Sequence, residues 1–178
     1  MKNNKNNPID IETLMADLQN KDLQYSNLSK RFKVIYLIFV PIYTVIASTE
    51  LIVDFNFMVL LSSICFVHSM IIFAIIFNRY QKEYRSVNYA EPTLMLLKKA
   101  AYRYNPLRKE TWWVLTSVAI LIIGLAISSS NHGIDLSTAF SFLLGLISGL
   151  IVGAIVYVKK YKPLRDNALR LIKEIENN

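Results

Sequence analysis

The sequence has few of the residues on which enzyme and metal sites are commonly built. Its 178 residues include one cysteine, Cys65, and two histidines, His68 and His132. A single cysteine excludes an internal disulfide, and a metal site would need three or four ligands, which these residues do not supply. The motifs of zinc hydrolases, serine hydrolases and nucleotide-binding loops are also missing. We therefore predict a non-enzymatic protein without a bound cofactor or metal.

Charge is also scarce, and it is unevenly distributed. Charged residues make up 19% of the chain and apolar residues 53%, whereas about a quarter of a soluble domain is usually charged. The charges fall in three blocks, 1–33, 79–110 and 159–178, separated by long stretches with almost none. This segregation indicates a bilayer. The net charge of +7 does not indicate nucleic-acid binding, because the basic residues flank apolar stretches and form no basic domain.

Four apolar windows are long enough to cross a bilayer, whose hydrocarbon core of about 30 Å requires roughly 20 helical residues. Each window must be helical, because hydrocarbon offers no partners for exposed backbone groups. The windows pair into two transmembrane hairpins, 34–78 and 111–158. The predicted fold is therefore all-α, an integral membrane four-helix transmembrane bundle. Its predicted spans are 34–53, 56–78, 111–130 and 137–158.

The basic residues predict the orientation of these spans. All 20 Lys and Arg residues lie in the three charged blocks, and none lies in the short connections within the two hairpins. Cytoplasmic segments carry the Lys and Arg excess in membrane proteins. We expect a multi-pass protein of a cell inner (cytoplasmic) membrane, with both termini and the 79–110 linker in the cytoplasm. Residues 1–33 contain no apolar run, so the first span would serve as an uncleaved membrane signal.

Amphipathic helices are predicted in all three cytoplasmic segments, which could together cover one another in a small cap. In 1–33, apolar residues recur at every third or fourth position, with Lys21 interrupting the pattern. This seam packs on the protein's own loop, binds a separate partner, or lies on lipid. The basic helix in 79–110 is either a lipid-surface helix or an ordinary linker. The predicted partner seam consists of Ile11, Leu14, Leu18, Tyr25 and Leu28.

The fourth window contains the most specific motif in the chain. Small residues recur there at every fourth position, so they lie on one helix face and allow another backbone to approach closely. We predict a tight helix contact on this face, either with another span of the same chain, which we favour slightly, or with a second copy. The residues of this helix-packing face are Ser141, Gly145, Gly149 and Gly153.

Two ionisable residues within the spans are candidate polar sites. His68 lies near the middle of the second window, three residues after Cys65, and Glu50 lies near the outer end of the first. Ionisable groups in a membrane are costly and often functional. We expect His68 to be a neutral residue hydrogen-bonded between helices, with a proton-relay or ligand role as the alternative. Glu50 is expected to reach headgroups or water on the outer face.

Patterned sequence is concentrated on the cytoplasmic side, and the outer connections are short. The sequence therefore favours a non-catalytic membrane protein that binds or regulates a protein partner through its cytoplasmic helices. The alternative is a small transporter or channel subunit, which would work as a homo-oligomer because four helices are too few for most solute pathways. A membrane enzyme would require His68 and Glu50 to share a cavity. The expected partners are the lipid bilayer, a cytoplasmic protein and further copies of the chain, but not nucleic acid.

Overall fold

The computed structural model describes residues 11–53, 55–106, 108–132 and 136–177, and all regular secondary structure in these ranges is helical. Side chains are described there except at positions 50, 51, 53, 131, 132, 136–139, 142, 143 and 146. The prediction of an all-helical fold is confirmed. The helices are α1 (Ile11–Val53), α2 (Phe57–Arg85), α3 (Thr93–Arg103), α4 (Lys109–His132), α5 (Leu136–Val156) and α6 (Lys162–Glu176), and a π-helical turn, Tyr157–Tyr161, joins the last two.

Three of these helices, α1, α2 and α4, are long and apolar enough to cross a membrane. They contain the first three predicted windows. The fourth window, 137–158, falls on α5 and the π-helical turn. Because several α5 side chains lie outside the described residues, the fourth crossing stays a prediction.

The first two long helices extend well beyond their apolar windows. Helix α1 has 43 residues, which corresponds to about 64 Å at about 1.5 Å per residue. It passes without interruption from the charged segment into the window that starts at Val34, and α2 likewise continues past Asn78 to Arg85. Both helices therefore carry polar ends away from the membrane-length region.

Helix α2 lies between α1 and α4 and packs against both. Along α1 and α2, aromatic rings stack in successive pairs, with centroid separations of 5.0–5.7 Å. The residue numbers rise along α1 as they fall along α2, so the two helices are antiparallel. The stacked pairs are Phe32 with Phe77, Tyr36 with Phe73, and Tyr43 with Phe66.

The charged segments fold together into one compact cap, which we define as residues 11–33, 79–108 and 157–176. Helix α3 packs on α6, and the charged end of α1 packs beside them. Ala100 of α3 and Ala168 of α6 are fully buried, because small side chains let these two helices approach closely. The buried side chains of the cap include Leu14, Leu18, Tyr84, Leu96, Leu97, Ala100, Tyr104, Leu164, Ala168, Leu171 and Ile172.

Candidate functional site in the helical cap

A buried carboxylate, Asp22 of α1, is the centre of the cap. It is 1% exposed and accepts hydrogen bonds from three side chains of the segment between α2 and α4. The Tyr89 hydroxyl lies 2.6 Å from Oδ2, the Tyr104 hydroxyl 2.5 Å from Oδ1, and Nη2 of Arg103 2.8 Å from Oδ2. This buried and hydrogen-bonded ion pair joins the C-terminal end of α3 to α1.

The local sequence explains why Arg103 and Tyr104 can reach this carboxylate. Pro92 immediately precedes the first residue of α3, and Pro106 follows two residues after the C-cap residue Tyr104. Proline is unfavourable inside a helix but tolerated at its boundaries. The short helix between the two prolines therefore ends with Arg103 and Tyr104 facing α1. A cation is also favourable in the last turn of a helix.

A second buried cation, Arg108, joins the cap to the start of α4. Its Nη1 lies 2.9 Å from Oε1 of Glu83, and its guanidinium carbon lies 4.5 Å from the centre of the Tyr80 ring. Burial acts to lower the pKa of Arg108, but the surrounding Tyr84, Glu83 and Tyr80 raise that pKa above its ordinary value. The guanidinium is therefore held in its charged form between a carboxylate and an aromatic face.

Tyrosine rings surround these charges, and the pKa values of several of these tyrosines are raised. Burial, followed by the neighbouring Tyr80, raises the pKa of Tyr25 to about 12. Burial and the negative charge of Asp22 raise the pKa of Tyr104 far above its ordinary value, and burial and the hydrogen bond to Asp22 do the same for Tyr89. The two hydroxyls bonded to Asp22 therefore remain protonated donors at neutral pH.

Two open spaces border this network. A groove of about 470 Å³ lies on the outer side of α3, between that helix and the α2–α3 connection. A cavity of about 270 Å³ lies between the cap and the starts of α4 and the π-helical turn, and six tyrosines line it. Arg103 contributes to the walls of both spaces. Its Nε is buried without a hydrogen-bond partner.

The predicted partner seam divides into buried and exposed members. Leu14 and Leu18 are buried in the cap core, and Tyr25 packs its ring 4.4 Å from that of Tyr84. Ile11 and Leu28 are exposed. The middle of the seam thus packs on the protein's own helices, and a partner could reach it only by displacing α3 and α6.

The small-residue face of α5 has open space at its three glycines. Among the described residues, a Cβ atom added at Gly145, Gly149 or Gly153 would meet nothing within 4 Å. Ser141, on the same helix, is exposed. A tight contact on this face, within the chain or with a second copy, stays a prediction.

The structure describes the side chain of one of the two candidate polar residues, His68. From the sequence we expected His68 to lie between helices. Its side chain is instead exposed on the surface of α2. The side chain of Glu50 lies outside the described residues. Among the residues that the structure does describe, no three His, Cys, Asp or Glu side chains are grouped closely enough to hold a metal ion.

Sequence reasoning missed a close helix contact between α2 and α4. Ser69 and Ser117 are fully buried, and each hydroxyl donates to the other residue's carbonyl, at 2.9 and 3.0 Å. A Cβ at Gly124 would lie 2.8 Å from Cβ of Cys65 and 3.2 Å from the carbonyl oxygen of Ser62. The available signal was small residues spaced seven apart, Ser62 and Ser69 on one helix and Ser117 and Gly124 on the other.

Asp22 was also missed, although a signal for it existed. It lies between Leu18 and Tyr25 on the apolar stripe of α1, and a polar residue on such a stripe points into a core. The sequence pattern drew attention to Lys21, whereas the structure buries Asp22 and leaves Lys21 half-exposed.

The cap thus combines a buried polar network around Asp22 with an open groove beside α3. Comparisons with known protein families, with curated proteins and with solved structures find no match to this chain. A functional assignment therefore depends on the geometry of the chain itself.

Proposed function

We propose that this is a non-catalytic multi-pass membrane protein whose cap binds or regulates another protein. The observation that carries the proposal is the combination of a folded cap, fixed internally by the buried pair of Asp22 and Arg103, with an exposed groove beside α3. A surface held in one shape loses less conformational freedom when it binds a partner. The membrane helices would then serve to hold this surface at the bilayer.

The outer face of α3 is the part of the cap best suited to contact a partner. Met95 and Tyr102 lie two turns apart on this face and are 52% and 51% exposed. Lys98 and Lys99 lie between them and pair with Glu176 and Glu91 at the surface. Methionine and tyrosine are enriched in protein interfaces, where apolar centres are surrounded by a polar rim.

This function implies that α5 is a fourth span and that the cap faces the cytoplasm. The described Lys and Arg residues lie in the cap or next to it, which supports this orientation through the positive-inside tendency.

Labelling of intact cells with a membrane-impermeant thiol reagent tests this orientation in a Cys65→Ser background. Ser86→Cys, in the exposed α2–α3 connection, should react only after the membrane is opened, whereas Phe55→Cys should react from outside. The reverse pattern would refute the orientation.

Quantitative co-purification after mild detergent extraction tests partner binding. Met95→Ala combined with Tyr102→Ala should reduce recovery of any specific partner about tenfold or more, because truncating an interface anchor costs about 2 kcal/mol. Leu23→Ala is the matched control, since Leu23 is a similarly exposed apolar residue (59%) of the cap that lies on α1 and not on the outer face of α3. If the double variant and the control recover the same proteins in the same amounts, the outer face of α3 is not the binding surface.

The second candidate is a small oligomeric transporter or channel subunit. The open glycine face of α5 favours it, since glycines on one face support close packing between copies. Native mass spectrometry of the detergent-solubilised protein separates the two candidates. Gly149→Leu should dissociate an oligomer that uses this face and leave a monomer unchanged. A protein that is monomeric before substitution contradicts the oligomeric subunit.

A further inference from the structure

An apolar groove of about 360 Å³ lies between α1 and α2, next to the cap. Its floor is Ala74, which is 5% exposed, and its walls are aliphatic. Two polar residues, Lys33 and Asn78, border the groove at its cap end. This end coincides with the start of the first apolar window at Val34, where the hydrocarbon gives way to headgroups. The aliphatic walls are Leu37, Val40, Ile71 and Ile75.

The charge at this end of the groove is not neutralised by the protein. Nζ of Lys33 lies 2.7 Å from Oε1 of Gln81 and 3.5 Å from Oδ1 of Asn78, and both of these are neutral amides. No carboxylate in the described ranges forms an ion pair with Lys33. The same holds for four exposed cations on the neighbouring turns, Lys30, Arg31, Arg79 and Lys82.

We propose that the groove holds one acyl chain of an anionic phospholipid, with the lipid phosphate on Lys33. An acyl chain is complementary to the aliphatic walls, and the phosphate is complementary to the unneutralised cations. Basic pockets between membrane helices on the cytoplasmic side are a recurrent mode of anionic lipid recognition. A second copy of the chain packed here in the same orientation would place its own Lys33 end of the groove next to this one, and repulsion between like charges would oppose that contact. The inference rests on membrane insertion and is independent of any protein partner of the cap.

Native mass spectrometry of protein extracted from vesicles of phosphatidylglycerol and phosphatidylcholine in equal amounts tests the proposal. We expect one phosphatidylglycerol to be retained per chain in preference to phosphatidylcholine. Lys33→Gln keeps the side chain polar but removes its charge, and should lower this preference about fivefold or more. Lys21→Gln is the matched control, because it removes the same charge from the same helix, about 18 Å away along α1 at about 1.5 Å per residue and outside the groove lining. It should change the preference less than about twofold.

The apolar walls are tested separately from the charge. Leu37→Ala combined with Ile75→Ala shortens both walls at exposed positions and should lower lipid retention, whereas Val45→Ala, on an equally lipid-facing position of α1, should not. Equal retention of the two lipids, equal effects of Lys33→Gln and Lys21→Gln, or a dimer that excludes lipid would each overturn the proposal. Partner recovery by the cap is unaffected in any of these outcomes, so the two hypotheses fail separately.

Discussion

Replacing Asp22 by asparagine tests whether a buried charge holds the cap together. Asp22→Asn preserves the size of the side chain but removes its negative charge and replaces one acceptor oxygen by a donor. The carboxylate accepts from two tyrosine hydroxyls and from the guanidinium of Arg103, which is itself 6% exposed in its side chain. The variant therefore leaves a buried cation without its counterion and places a donor opposite a donor.

The expected cost follows from that burial. Removing one partner of a buried ion pair destabilises a protein by about 3–5 kcal/mol, because the remaining charge stays desolvated. The contact between α1 and α3 would then open at least about a hundredfold more often. Combining Asp22→Leu with Arg103→Met should recover only part of the loss. Two apolar side chains replace the pair without leaving a buried charge, but the hydroxyls of Tyr89 and Tyr104 lose their acceptor.

Hydrogen exchange measured by mass spectrometry is the appropriate assay, because circular dichroism would be dominated by the membrane helices. Amides in α3 should exchange at least about a hundredfold faster in Asp22→Asn, while those in the middle of α2 should be unchanged. Lys98→Gln provides the control on the same helix, since the pair of Lys98 and Glu176 is 54% and 47% exposed and exposed pairs contribute little. If the two variants leave α3 equally protected, the buried pair does not hold the cap.

Three further predictions concern the helix contact of α2 with α4 and the tyrosines of the cap. Gly124→Ala should destabilise the protein by about 1–3 kcal/mol in a dodecyl sulfate unfolding titration, because the added methyl group overpacks a close contact. Gly149→Ala is the control, since it has open space around it and should cost nothing in the monomer. Equal stabilities of the two variants would contradict the close packing. Ser69→Ala should cost about 0.6–1.7 kcal/mol in the same titration, in the range measured for hydrogen bonds between membrane helices. If Ser69→Ala costs as much in a Ser117→Ala background as it does in the wild type, the two residues do not act as a pair. Burial raises the pKa of Tyr25 to about 12, so its contribution to stability is present below pH 10 and is lost as the pH rises from about 10 to 12, by up to about 3 kcal/mol. An absorbance titration of tyrosinate in which Tyr25→Phe removes no late-titrating group would contradict this.

Local sequence features predicted the helices well, for a physical reason. An apolar window of about 20 residues has few alternatives to a helix, because hydrocarbon offers no partner for its backbone groups. The spacing of Leu14 and Leu18 likewise identified a face that becomes buried. The candidate site was predicted less well, because an apolar stripe on a helix shows which face is buried but not which residues pack against it. The helix-packing motif of α5 illustrates the limit, since Gly145, Gly149 and Gly153 lie open while Gly124 makes the close contact.

Sequence reasoning alone predicted which segments are helical, that the three helices α1, α2 and α4 have membrane length, and that the cations lie in three segments. These properties depend on neighbours within a few turns, and so they can be read along the chain. The tertiary structure alone decided that Asp22 pairs with Arg103, 81 residues away, and that Ser69 bonds Ser117, 48 residues away. Such pairs depend on the relative rotation and depth of packed helices, which the periodicity of a single helix does not contain.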